Sequence, residues 1–238
     1  MMPIAIRNSS KKSRLYSSEY ELQLDLFKMQ LKLDGSYANT LIRREVHMGS
    51  CIPDFIYVSF KQVPNPHLWP RKFANRHCFV LWWLRNEFEL SLEEIAARFY
   101  MPPRGIVVQT INELINSGAV QTINSGKFAL STEMKTVQAE VVAVEAKLSN
   151  WKRAIQQAQD YLNFADKVFV AMDPYQMPKK LTVLEKFREL GIGLCAILPE
   201  KMDWFVFPQV QANYSGVDRE FLIASAGSLS HQTLWSSR

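Results

Sequence analysis

The chain has 238 residues, 47% hydrophobic and 21% charged. These values lie near globular averages and exclude a wholly disordered or fibrous protein. The longest uninterrupted apolar run, Cys78 to Leu84, is far short of the roughly 20 residues a membrane-spanning helix needs. No apolar leader precedes a cleavage site either, so neither a secretory signal nor a membrane partner is expected. Arg7, Lys11, Lys12 and Arg14 give the first 14 residues a charge of +4 out of a total of +5. Such a basic arm, taken as residues 1–16, either binds phosphate backbones by counterion release or solubilises the chain. Three widely spaced cysteines, Cys51, Cys78 and Cys195, have no metal-ligand spacing and read as reduced thiols, which points to a cytoplasmic location.

After the arm, Ser18-Glu19-Tyr20-Glu21 matches a capping box, and a helix to about Leu33 is expected to follow it. Two strands are expected next, Thr40 to Met48 and Phe55 to Phe60, joined by a turn at Gly49-Ser50. Residues 17–62 thus form the first part of a core, and residues 63–76, with three prolines, read as a linker. Residues 77–131 hold helices over Cys78–Phe88, after Ser91 and over Gly105–Asn116, then a hairpin of Val120–Ile123 and Lys127–Leu130. The expected inner face of the third helix is Ile106, Ile111, Leu114 and Ile115. Three helices and a hairpin are the order of a winged helix-turn-helix. Trp82-Trp83 is read as core, not as a base-stacking platform.

Residues 132–212 alternate strand and helix, as an α/β layer with a mixed or parallel sheet does. The expected elements are a strand over Glu140–Leu148, a helix over Asn150–Phe164 capped by Ser149, and a strand over Lys167–Met172. A helix from Pro178 to Gly191 follows, with strands over Ile192–Leu198 and Trp204–Val210. Residues 213–238 are left as a tail in which Phe221–Ile223 and Trp235 dock at no assigned place.

The chemistry concentrates in Glu145 and Lys147. Strand periodicity puts them on one side and Val142, Val144, Ala146 and Leu148 on the other. A carboxylate and an ammonium at the end of an apolar strand are costly unless they serve each other or a ligand. Upstream, Pro53-Asp54 places an acid just before a β-rich run, and downstream Gln157 and Tyr161 share one helix face a turn apart.

Pro-Asp, Glu-x-Lys and Gln-x-x-x-Tyr in this order resemble the PD-(D/E)xK nuclease superfamily, in its RecB-like branch. The run from Leu148 through Trp151, Gln157-Ala158 and Tyr161 is similar to a signature of several small bacterial nuclease-like families. The resemblance covers about half the chain, residues 17–60 and 137–210. It implies an α/β, restriction-endonuclease-like core, a central mixed sheet flanked by helices, carrying the winged helix as an insertion. It further implies a DNA phosphodiesterase with Mg²⁺ or Mn²⁺ as cofactor, in genome defence, repair or mobile-element biology. Asp54 and Glu145 would hold the metal, Lys147 would position water or stabilise developing charge, Gln157 would hydrogen-bond near the metal or the scissile phosphate, and Tyr161 would brace the helix or contact substrate. Glu45 is either a further carboxylate, sharing a face with Arg43 and His47, or a paired surface acid. Asp54 and Glu145 stand 91 positions apart, a longer connection than the superfamily usually has; Glu140 or Glu133 are the substitute acids, or the site is degenerate.

Candidate nucleic-acid contacts are Arg104, Gln109, Thr110 and Asn112 on the third helix, Lys127 at the wing, Arg71 and Lys72 before the insertion, and Lys152 on the later helix. Residues 77–130 carry four cations against five acids, a weak field for DNA. The alternative partner is a second copy or another protein docked on this unit. The alternative function is a catalytically silent nuclease fold acting as a DNA-binding regulator or complex subunit.

Overall fold

The computed structural model describes residues 14–33, 40–49, 51–71, 73–99, 103–124, 126–211 and 216–229. It shows an α/β protein with a central mixed sheet flanked by helices. The six strands are β1 (Thr40–Arg44), β2 (Phe55–Phe60), β5 (Ala139–Lys147), β6 (Lys167–Met172), β7 (Gly193–Leu198) and β8 (Lys201–Val206), adjacent in that order. β2 runs antiparallel to both β1 and β5, β5, β6 and β7 run parallel, and β8 is antiparallel to β7. Every residue of β2 is buried, as in a strand covered on both faces.

Helix α1 (Glu19–Leu33) covers one face, setting Leu22 and Leu26 against Phe55, Tyr57, Val144, Ala146 and Phe169. Its start is close to the capping box read from sequence: Ser18 Oγ accepts from the Glu21 N–H at 3.2 Å, while the Glu21 carboxylate takes the N–H of Ser17 instead of Ser18. Ahead of it, the buried Asp173 carboxylate at the end of β6 accepts the N–H groups of Leu15, Tyr16 and Tyr175. The opposite face is covered by α6 (Trp151–Tyr161), α7 (Leu181–Glu189) and α8 (Val217–Leu229). In α6 the inward residues are Ala154, Ile155, Ala158 and Tyr161. Two alanines in that stripe let the helix lie close to the sheet.

Between β2 and β5 come α2 (Asn75–Glu87), α3 (Leu92–Arg98), α4 (Arg104–Asn116), the hairpin β3 (Val120–Thr122) and β4 (Phe128–Leu130), and a short α5 (Thr132–Thr136). Ser91 and Glu94 form the expected capping box of α3. This insertion leaves and re-enters the sheet at adjacent points, because Phe60 pairs with Ala139 and the Lys61 N–H donates to Gln138 O at 3.1 Å. The long spacing between Asp54 and Glu145 therefore costs the strand pairing nothing. His77 fixes the unit internally: its Nδ1 accepts from the Ala74 N–H at 2.9 Å and its Nε2 lies 2.7 Å from Glu113 Oε2, which also takes Arg76 at 2.9 Å.

Several expectations need correction. β1 stops at Arg44 because Glu45 adopts a left-handed φ of 50°, which removes the alternation that would have aligned Glu45 with Arg43 and His47. The stretch read as a linker contains a 3₁₀ turn, Pro66–Leu68, and its Leu68 and Trp69 are core residues. On α4 Ile111 and Leu114 are buried as expected and Ile115 is partly buried, but Ile106 is exposed and Val107 and Thr110 take the remaining inner positions. Asn150, not Ser149, caps α6 by accepting from the Arg153 N–H. The last strand starts at Lys201 instead of Trp204. The tail contains α8, whose Leu222, Ile223, Ala224 and Ala226 are buried. A Cβ on its Gly227 would come within 2.2 Å of the Trp69 ring, so only glycine lets α8 approach here. Trp235 lies outside the described residues. Among the described residues no helix is long and apolar enough to cross a membrane.

Candidate active site

The pairing of Phe55 with Val144 sets Asp54 opposite Glu145 as β2 is extended backwards by one residue. Both carboxylates then belong to the face that receives α6, and Lys147 follows Glu145 by two residues on the same strand. Glu145 is 1% exposed. The Tyr161 hydroxyl, from the last turn of α6, donates to Glu145 Oε2 and also lies 3.3 Å from Ile52 O. Lys147 Nζ sits 2.7 Å from Glu145 Oε1 and 3.5 Å from Glu19 Oε2. The closer contact is a charge-assisted pair at hydrogen-bond distance, so Lys147 is the partner of Glu145 Oε1 as Tyr161 is of Oε2.

Asp54 is held from two sides. Its Oδ2 accepts from the Ala146 N–H at 2.7 Å and its Oδ1 from Gln23 Nε2 at 2.9 Å. Gln23 in turn accepts from Arg44 at 2.9 Å, and the Arg44 guanidinium lies over the rings of Tyr20 and Phe55. Gln157 stands one turn before Tyr161 on α6, with its Oε1 buried and unpartnered among the described residues.

Burial and the neighbouring charge of Glu145 push Asp54 up to about 6, outweighing the Ala146 N–H and Lys147, which pull the other way. Burial works against the charge of Lys147, but Glu145, with Asp54 and Glu19, holds its ammonium above the usual lysine range. Burial and the bond to Glu145 raise Tyr161, which stays a phenol. Three carboxylates, Asp54, Glu145 and Glu19, thus meet one ammonium, an arrangement short of positive charge.

All five residues expected to carry chemistry lie on β5, α6 or the entry to β2; contacts join three of them, Glu145, Lys147 and Tyr161, while Asp54 is bonded to the Ala146 N–H between Glu145 and Lys147 and feels their charges. Gln157 shares the helix of Tyr161. Glu45 does not complete a cation cage with them: among the described residues no group of three or more His, Cys, Asp or Glu side chains is gathered for a metal ion. Sequence reasoning missed Glu19, Gln23 and Arg44. Glu19 and Gln23 are four apart on α1 and so share a face, the one signal that could have drawn them in; Glu19 was absorbed by the capping pattern.

The proposed nucleic-acid contacts fall elsewhere and are largely engaged. Arg104 lies 3.4 Å from Glu93, Lys127 2.8 Å from Glu89, and Gln109 donates to Glu113 at 2.8 Å. Thr110 is buried and its hydroxyl donates to Ile106 O, so it does not face outward. Asn112 and Arg71 are exposed, Lys152 lies over the Trp151 ring, and Lys72 falls outside the described residues. Comparison with protein-family models, curated proteins and solved structures gave no match to the chain.

Proposed function

We propose that the chain is a divalent-metal-dependent nuclease of the PD-(D/E)xK type that hydrolyses DNA phosphodiester bonds. The observation that carries this reading is the meeting of Asp54 and Glu145 on one face beside Lys147, from positions far apart in the sequence. The sheet order, with α1 on one face and α6 on the other, supports a restriction-endonuclease-like core, and the three helices and hairpin between β2 and β5 support an inserted winged helix.

The donor set fits a hard cation. Asp54 and Glu145 offer carboxylate oxygens in a site where three carboxylates share one ammonium, a surplus of negative charge. Mg²⁺ and Mn²⁺ favour oxygen ligands, and Mg²⁺ commonly takes one or two carboxylates and keeps water and substrate phosphate as its other ligands. Such an ion would acidify a water and offset charge on the phosphoryl group. The protein's own groups have separable tasks. Lys147, protonated and fixed by Glu145 and Glu19, places an ammonium where a water is oriented or a phosphate oxygen gains charge. Tyr161 keeps the Glu145 carboxylate oriented. Gln23 and the Ala146 N–H do the same for Asp54, and Gln157 supplies a free buried carbonyl to the same face of α6.

A second reading, a catalytically silent DNA-binding regulator or complex subunit, is favoured by one feature: Lys147 is already held between two carboxylates. Incubation of supercoiled plasmid and single-stranded DNA with Mg²⁺, Mn²⁺ or EDTA separates the two. Metal-dependent cleavage that disappears in Glu145→Gln supports the nuclease. Cleavage that persists undiminished in purified Glu145→Gln, or none with either metal, ends that reading and leaves the scaffold.

A further inference from the structure

At the opposite end of the β2–β5 pair a second site is built from cations. β2 advances about 3.3 Å per residue, so Ser59 lies about 16 Å along the strand from Asp54. Beside it opens a pocket of about 450 Å³, lined by Lys61, Arg85, Arg219 and Glu140 among others. It is bounded by the sheet end, by α2 of the insertion and by α8.

The two arginines are fixed before any ligand arrives. Arg85 Nε donates to Glu220 Oε1 at 2.5 Å, and the Glu220 side chain is only 3% exposed. Arg219 donates through Nε and NH2 to the two oxygens of Asp166 at 3.2 and 3.0 Å, and through NH2 to Ala139 O at 2.8 Å. The NH1 groups of both arginines, and Nζ of Lys61, have no partner among the described residues. The one acid of the lining, Glu140, is taken by Lys167 at 2.6 Å. Counting the paired groups, four cations meet three carboxylates, and the surplus charge is Lys61. Guanidinium groups held rigid on one edge present the other edge at low entropic cost, the arrangement that suits a phosphate. Val137 and Ile223 add an apolar wall, and the volume is in the range of small-ligand sites.

We propose that this pocket binds a terminal phosphate of nucleotide size, a phosphomonoester whose phosphate meets Lys61, Arg85 and Arg219 while its base or sugar lies against Val137 and Ile223. The site is independent of the nuclease reading and stands if that reading fails. A free nucleotide and the 5′-phosphorylated end of a nucleic acid present the same chemistry.

The test is calorimetric titration and thermal melting of the full chain with AMP and with inorganic phosphate at constant ionic strength in EDTA. Two variants accompany it. Lys61→Ala removes the surplus cation, and Gln138→Glu adds an acid at an exposed lining position without removing a contact. AMP is expected to bind saturably and raise the melting temperature, with affinity falling about tenfold in Lys61→Ala, the loss of one charge-assisted contact, and falling again in Gln138→Glu. A 5′-phosphorylated oligonucleotide that competes with AMP better than its 5′-hydroxyl twin assigns the site to nucleic-acid ends; equal, weak competition by both assigns it to free nucleotides. Absence of saturable binding of either AMP or phosphate at millimolar concentration overturns the proposal, as does binding that neither variant weakens.

Discussion

The candidate active site and the inserted helical unit are both rich in charge, and they treat it in opposite ways. In the insertion nearly every cation has an acid of its own: Arg76 with Glu113, Arg98 with Glu87, Arg104 with Glu93, Lys127 with Glu89. At the site a single ammonium serves several carboxylates, and one buried acceptor, Gln157 Oε1, has no partner among the described residues. Charges that cancel one another keep a fold in register. Charges left in imbalance under burial raise energy in the free protein and are retained where a ligand relieves them. Under the proposed reading the contrast favours β5 and α6 as the place of the chemistry, and it lowers the claim of α4 and the hairpin to be the main contact with a polyanion.

The strongest test of this contrast is at Lys147. Under the nuclease reading Lys147→Ala lowers the cleavage rate about 10³-fold with the far-ultraviolet circular dichroism spectrum unchanged, whereas a purely structural lysine would move stability and leave the rate per folded molecule alone. Next in size is Glu113→Ala in the insertion. It strips the buried His77 of its acceptor and should lower unfolding stability by about 1–3 kcal/mol, measured by urea melts, without touching cleavage.

The two regions also answer pH with opposite signs. Asp54, lifted to about 6 by burial and Glu145, holds a proton in the folded state that an unfolded aspartate releases near pH 4. Its contribution to stability is therefore present below about pH 4 and lost as pH rises through about 6. Burial lowers His77, so its contribution is present above the usual histidine value and lost on acidification. Asp54→Asn should accordingly gain on the native chain by about 2 kcal/mol between pH 4 and pH 7, and stabilisation by Mg²⁺ should fade below about pH 6, both readable from melting curves. The smallest effect belongs to Arg104→Ala and Lys127→Ala. Each cation already has an exposed acid beside it, and pairs of this kind are worth about 1 kcal/mol or less. DNA affinity at moderate salt should shift less than about threefold by fluorescence anisotropy; a larger loss would restore α4 and the hairpin as the principal contact.

The legibility of the sequence follows the same division. Periodicity alone separated Glu145 and Lys147 from Val144 and Ala146, and the structure sets the latter two under α1. The Ser91–Glu94 cap was readable because its partners are three residues apart. Contacts that span the chain were not. Nothing local ties Glu19 to Lys147 or Arg44 to Asp54 through Gln23, since those contacts depend on where α1 lies across the sheet. Helix α8 was missed for a related reason: its Ala, Ser and Gly residues look like a loose tail, yet small side chains are what let it reach Trp69. On α4 Ile111 and Leu114 were read correctly, but Ile106 was taken for Val107 because the two are equally apolar neighbours, and tertiary packing chose between them.

One consequence follows from the way β2 and β5 serve at once as the stem of the insertion and the mount of the two acids. Side chains on a strand change sides with every residue. Slippage of β2 past β5 by one step would therefore carry Asp54 away from Glu145 altogether, turning the paired acids into strangers on opposite surfaces. The ladder rungs from Phe60–Ala139 to Phe55–Val144 act as the ruler that keeps an 80-residue detour, roughly, from being felt as a single residue's error.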